Sequence, residues 1–99
     1  MSVLLARYRV ADPGRFRTVY DAFAATRAAH GARAHRLLAS EADPARFVAV
    51  IEFDDAAAAE LYAHSAARAT ALDEAGVVER EDEVMRLERA GGAGREVPA

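Results

Sequence analysis

The order in which two hydrophobic periods alternate along the chain limits its possible folds more than any other feature. A strand-like run (Val3 to Val10) is followed by a helical stripe (Arg15 to His30), two strand-like runs (Ala34 to Ser40, Phe47 to Phe53), a second helical stretch (Ala56 to Ala75) and a last strand (Glu83 to Arg89). This βαββαβ order predicts a ferredoxin-like α+β fold, with one four-stranded antiparallel sheet and both helices on one face.

Turn and capping residues mark the same boundaries. Asp12 and Pro13 form a helix start, and Gly31 supplies the left-handed residue that ends the first helix. Asp54 or Asp55 caps the second helix, Gly76 ends it, and the loop 41–46 is expected to be exposed. We expect one domain over residues 1–89 and a disordered tail over 90–99, which is glycine-rich and has no period.

Composition and charge exclude several functions. All 13 basic residues are arginine, yet the net charge is −3, which gives no long-range attraction for nucleic acid. The chain has no cysteine, no signal-peptide pattern and no apolar run of membrane-spanning length, so we expect a soluble cytoplasmic protein. The three histidines lack metal-ligand spacing, and no phosphate-binding loop is present. We expect neither a metal nor another cofactor.

The two faces of the predicted sheet differ in polarity. Alternation places Leu4, Ala6, Tyr8, Val10, Phe47, Ala49, Ile51 and Phe53 on one apolar face, beneath the helices. The other face mixes Val3, Leu5, Val48 and Val50 with Arg7, Arg9 and Glu52. Because a small domain has little burial to spare, we predict that this mixed face packs on a second copy in a homodimer. Glu52 is expected to pair with Arg7 or Arg9 there. A catalytic Glu52 is the alternative.

The first helix carries the main indication of a binding site. An aromatic stripe of Phe16, Tyr20 and Phe23 is continued by Arg27, with His30 beside it. One interpretation is a pocket, with Tyr8 and Tyr62 as further walls and Arg27 with His30 as its polar end, for an aromatic or enolised ligand with an anionic oxygen. The other is structural: cations favour the last turn of a helix, and Arg27 extends to solvent or meets a carboxylate.

The second helix adds one candidate. His64 and Arg68 flank its apolar stripe, so His64 is either a general base at the mouth of a cavity or a solvated surface histidine.

Residues 3–89 resemble the dimeric α+β barrel proteins related to the antibiotic biosynthesis monooxygenases and polyketide cyclases. The resemblance lies in the segment 3–12, in Phe16, Tyr20 and Arg27, and in the segments 49–55 and 73–77 with Tyr62. It implies a homodimer with a ligand cavity between sheet and helices in each subunit. It also implies activities that range from cofactor-free oxygenation to cyclisation.

The chain departs from that family at important positions. The quinone-forming and haem-degrading relatives use an asparagine and a tryptophan near the substrate, and this chain contains neither residue. The remaining inventory of phenols, guanidinium and imidazole better fits a cyclase or isomerase that stabilises an enolate. We therefore expect an apolar or aromatic, polyketide-like ligand, with Arg27, His30 and His64 as candidate catalytic residues. The alternative is a non-catalytic metabolite-binding or assembly protein of the same fold.

Overall fold

The structure is a computed structural model, and it describes residues 1–91. Its elements are the strands β1 (Ser2–Val10), β2 (Ala34–Ala39), β3 (Arg46–Phe53) and β4 (Val77–Arg86), and the helices α1 (Pro13–Ala22), α2 (Ala24–Ala29), α3 (Ala56–Ala63) and α4 (Ala66–Glu74). The predicted tail, residues 90–99, falls largely outside the described residues.

One antiparallel sheet with the strand order β2-β3-β1-β4 forms the base of the fold. The predicted α+β ferredoxin-like arrangement is therefore confirmed, including the central pairing of β1 with β3. The apolar face of these two strands is buried beneath the helices, as alternation predicted, and aromatic side chains of α1 and α3 pack on it. This layer between helices and sheet holds the core and positions the site.

Each predicted helix is divided into two. Phe23 interrupts the first one with backbone angles of φ −85° and ψ 0°, and a new helix begins at Ala24. The second is interrupted at His64 and Ser65, where the Ser65 hydroxyl accepts from the amide of Arg68 and so caps α4. The predicted caps at Asp12 and Asp55 are confirmed by bonds from the amides of Gly14, Arg15 and Ala58.

The last strand begins at Val77, six residues before the predicted start at Glu83, and ends at Arg86, before the predicted end at Arg89. Gly76 ends α4 with a positive φ of 75°, so the chain turns directly into the strand. The prediction failed because residues 79–83 are all charged, and a charged run has no apolar alternation to read.

The predicted ion pair between Glu52 and Arg7 or Arg9 is wrong. The register sets Glu52 opposite Val3, so Arg7 lies roughly 13 Å further along β1 at the usual rise of a strand. The two arginines instead reach β4: Arg9 bonds Glu79 at 3.0 Å, and Arg7 lies 4.0 Å from Glu81.

The sheet face turned away from the helices is open in the single chain. Leu38 is 53% and Met85 45% exposed, and the mixed aliphatic and charged side chains of β1 and β3 lie between them. The open face, here defined as the outward side chains of all four strands, therefore carries apolar and charged side chains on its central and on its edge strands.

Candidate functional site

A small cavity lies between the helices and the sheet, and all six side chains that the sequence placed around a pocket line it. They are Tyr8, Phe16, Tyr20, Phe23, Arg27 and Tyr62, joined by Arg68 and by the apolar side chains of Val19, Ala71, Leu72 and Ala75. Its volume is about 20 Å³, room for roughly one water molecule. The walls are aromatic, with the Phe16 ring 5.4 Å from that of Tyr8 and 5.9 Å from that of Tyr20.

Arg27 is buried at one end of this cavity, with 2% of its surface exposed. Its Nη2 donates to the Tyr20 carbonyl at 2.7 Å, at the point where α1 breaks off, and its guanidinium lies 4.0 Å from the centre of the Tyr20 ring. Within residues 1–91, its Nε and Nη1 atoms have no hydrogen-bond partner. The structural reading, in which Arg27 extends to solvent or meets a carboxylate, does not describe this side chain.

Arg68 is a second buried arginine on the same cavity, 1% exposed, and it differs from Arg27 in having a carboxylate. Two bonds of 2.8 and 2.9 Å join it to Asp82, a third of 2.9 Å runs to the Tyr8 hydroxyl, and a fourth reaches the Ala63 carbonyl at the end of α3. Burial alone would lower the pKa of this guanidinium, but the bonds to Asp82 and Tyr8 raise it above its usual value. Arg68 is therefore permanently charged and neutralised by Asp82.

Two phenols of the cavity wall stay neutral at ordinary pH. Burial raises the pKa of Tyr20 to about 12, against the opposing effect of the Arg27 charge. Burial also raises the pKa of Tyr8, while the charge and hydrogen bond of Arg68 lower it. The hydroxyl of Tyr20 lies 3.0 Å from Nδ1 of His35 on β2, so Tyr20 links the cavity wall to an exposed histidine. Arg27 is thus left as the charge in this cavity that no described carboxylate neutralises.

The two histidines proposed from sequence lie outside the cavity lining. His30 caps the end of α2, is exposed, and bonds the Thr26 carbonyl through Nδ1 at 2.9 Å. Its ring stands 5.9 Å from that of Tyr62, which places it beside the cavity's outer wall. His64 ends α3 and is also exposed. The structure brings the aromatic residues and Arg27 together, but neither His30 nor His64 joins them.

Three residues of the site escaped the sequence reasoning. Asp82 lies just before the predicted start of the last strand at Glu83, and Arg68 was noted only as a flank of the apolar stripe on its helix. His35 reaches Tyr20 across two elements that no local pattern connects. The one available signal for Arg68 was its position beside the apolar stripe of the second predicted helix, among small alanine residues.

In the described part of the chain, no cluster of three or more histidine or acidic side chains is arranged to hold a metal ion. No helix there combines the length and apolar character needed to cross a membrane.

A scan against protein-family models and a search of curated proteins return no match to the sequence. Solved structures do match. A variant of SnoaB, a cofactor-independent oxygenase from Streptomyces nogalater, is 23% identical over 90% of this chain and 94% of its own, with a TM-score of 0.75. A Nitrosomonas europaea protein assigned to the antibiotic biosynthesis monooxygenases is 19% identical over 90% of this chain and all of its own, with a TM-score of 0.72. The chain therefore has the ferredoxin-like α+β fold of the antibiotic biosynthesis monooxygenase structures, as its sequence resemblance implied.

Proposed function

We propose that the cavity between helices and sheet binds a small, largely apolar metabolite, aromatic or polyketide-like, whose anionic oxygen meets Arg27. The observation that carries this proposal is the buried guanidinium of Arg27, with two nitrogen atoms that have no partner among residues 1–91. A buried charge is costly unless it is paired, and a buried donor left unpaired costs about 1–3 kcal/mol. A ligand oxygen would remove both penalties.

The charge and shape of the cavity support an anionic aromatic ligand. Arg68 is neutralised by Asp82, whereas Arg27 has only a carbonyl and an aromatic ring beside it. Five aromatic rings supply the walls, and flat rings pack best against such surfaces. Ligand pockets for such molecules measure roughly 300 Å³ or more. Binding therefore requires the helices to move away from the sheet, and the break at Phe23 is a natural point for that movement.

We further propose a cyclase-like or cofactor-independent monooxygenase-like reaction in the cytoplasm. SnoaB, which shares the fold, is described as a cofactor-independent oxygenase. The chain lacks asparagine and tryptophan, so enolate stabilisation by Arg27 and the cavity phenols is the chemistry its own residues can supply. A non-catalytic binding or assembly role is the second candidate, and the small volume of the closed cavity favours it.

The open face supports a homodimer. Aliphatic side chains such as Val3, Leu5, Val48 and Val50 would leave water on pairing with a second sheet, and Leu38 and Met85 are already among the most exposed large apolar residues described. Arg7 and Arg9 are matched by glutamates of β4, so little charge is left unpaired at that end of the face.

The binding proposal is tested with two probes of similar size, 1-naphthoate and the neutral 1-naphthalenemethanol, by isothermal titration calorimetry. We expect the wild type to prefer the anion and Arg27→Met to lose that preference by about tenfold or more, since a hydrogen bond to a charged group contributes about 1.5–3 kcal/mol. Arg15→Met is the matched control, because it removes the same charge from an exposed position on α1. Equal binding of both probes by the wild type would contradict the proposal.

A further inference from the structure

The Tyr8 hydroxyl is buried, and its proton has no hydrogen-bond acceptor among residues 1–91. Tyr8 lines the cavity with 5% of its surface exposed, and its oxygen accepts a 2.9 Å bond from Nη2 of Arg68. A phenol can accept and also donate one hydrogen bond. In residues 1–91, the structure records no acceptor for the Tyr8 proton. The Tyr20 hydroxyl differs, because it is already paired with His35.

Arg68 fixes which role the Tyr8 hydroxyl can play. Its guanidinium is held by two bonds to Asp82 and by the Ala63 carbonyl, so the bond to Tyr8 comes from a donor that cannot turn away. An arginine has no acceptor atom, and the Tyr8 proton must therefore point away from it. Both side chains line the ligand cavity, so a ligand bound there can supply the acceptor that the Tyr8 proton lacks.

The ionisation state also suits a donor. Burial raises the pKa of Tyr8, so the hydroxyl keeps its proton at neutral pH, and the Arg68 charge opposes that effect by making the phenol more acidic. A fixed, dry donor of this kind stabilises negative charge on a bound oxygen without reorganising when the charge develops.

We propose that Tyr8 is a catalytic residue, whose hydroxyl donates a hydrogen bond to the ligand oxygen that becomes negative when the ligand enolises or ionises. This role rests on the binding function proposed above. The ligand's proton leaves to solvent, no bond to Tyr8 breaks, and the O–H of Tyr8 stays intact. The substrate class is thereby narrowed to molecules with a carbonyl or phenolic oxygen beside an apolar body.

The test uses 4-nitrophenol as the probe, because the absorbance of its bound phenolate reports the apparent pKa of the bound molecule. We expect the wild type to lower that pKa, and Tyr8→Phe to raise it again by about one unit, a tenfold loss of phenolate stabilisation. Asp55→Ala removes the α3 cap outside the cavity and serves as the control for lost stability, with the wild-type probe pKa expected.

A second variant keeps the test decisive if Tyr8→Phe does not fold. Incorporation of 3-fluorotyrosine at position 8 keeps the hydroxyl and makes it a stronger acid, so the pKa of the bound probe should fall below the wild-type value. An unchanged probe pKa in Tyr8→Phe or in the fluorotyrosine protein would overturn the role of Tyr8 and leave the binding function standing. A wild type that neither binds nor ionises the probe would overturn the binding function itself.

Discussion

Substituting each of the two buried arginines with methionine distinguishes an arginine that stabilises the fold from one that is free to bind a ligand. Arg68→Met would leave Asp82, the Tyr8 hydroxyl and the Ala63 carbonyl without their donor, and breaking a buried ion pair costs about 3–5 kcal/mol. Arg27→Met loses one charge-assisted bond, about 1.5–3 kcal/mol, and the contact with Tyr20, at most about 2 kcal/mol. The same substitution removes two buried nitrogen atoms that have no partner, and this stabilises the variant by about 1–3 kcal/mol for each atom.

The losses and gains at Arg27 nearly cancel, so we expect the free energy of unfolding of Arg27→Met to lie within about 1 kcal/mol of the wild-type value. The free energy of unfolding of Arg68→Met should be at least about 2 kcal/mol lower than that of Arg27→Met. Each kcal/mol shifts the melting temperature of a domain this size by about 4–8 °C, so the variants should melt about 10 °C apart. Circular dichroism at one fixed protein concentration measures this, because association also affects stability. Equal destabilisation by both variants would show that Arg27, like Arg68, is a structural residue.

Three further predictions concern the dimer, the phenol and the turn. Light scattering at micromolar concentration should give the mass of a dimer, and Leu5→Arg on the open face should give a monomer. A monomeric wild type would contradict the proposed homodimer. Because folding raises the pKa of Tyr20 from 10.0 to about 12, stability should be full below pH 10 and fall as the pH rises toward 12, and Tyr20→Phe should flatten that decline in alkaline denaturation. An equal loss of stability in both proteins would show that a group other than Tyr20 titrates in this pH range. Gly76→Ala should cost about 1 kcal/mol in urea denaturation, because φ at this turn is 75°; no loss would show that the turn can change its backbone conformation.

The architecture could be predicted from the sequence because β1, β3 and α1 each have one apolar face. The buried faces of β1 and β3 and the stripe on α1 all follow periods that a core imposes, so element order and central pairing were predictable. Strand β4 was misplaced because charged side chains occupy both of its faces. The breaks at Phe23 and His64 leave the apolar stripe continuous, and a stripe carries no information about a single non-helical residue.

The site was predictable where it coincides with the core and unpredictable where it depends on register. Tyr8, Phe16, Tyr20, Phe23 and Tyr62 line the cavity because they are buried or partly buried aromatic residues of predicted faces. The pairing of Arg68 with Asp82 requires that β4 begin at Val77, and the contact of Tyr20 with His35 requires that β2 form the sheet edge beside α1. Such contacts between distant segments become visible only when strand registers are known.

If Arg27 holds the anionic oxygen of a ligand, the NMR signal of its own Nε–H group should respond when an anionic ligand binds. In arginine-detected ¹H–¹⁵N NMR, the signal that is missing from the spectrum of Arg27→Met identifies this group. On titration with 1-naphthoate, we predict that the Arg27 signal shifts and saturates together with those of Tyr20 and Phe23, while 1-naphthalenemethanol moves it little. An Arg27 signal that stays in place, while resonances of the open face respond to the anion, would show that the anion binds at the open face and not at Arg27.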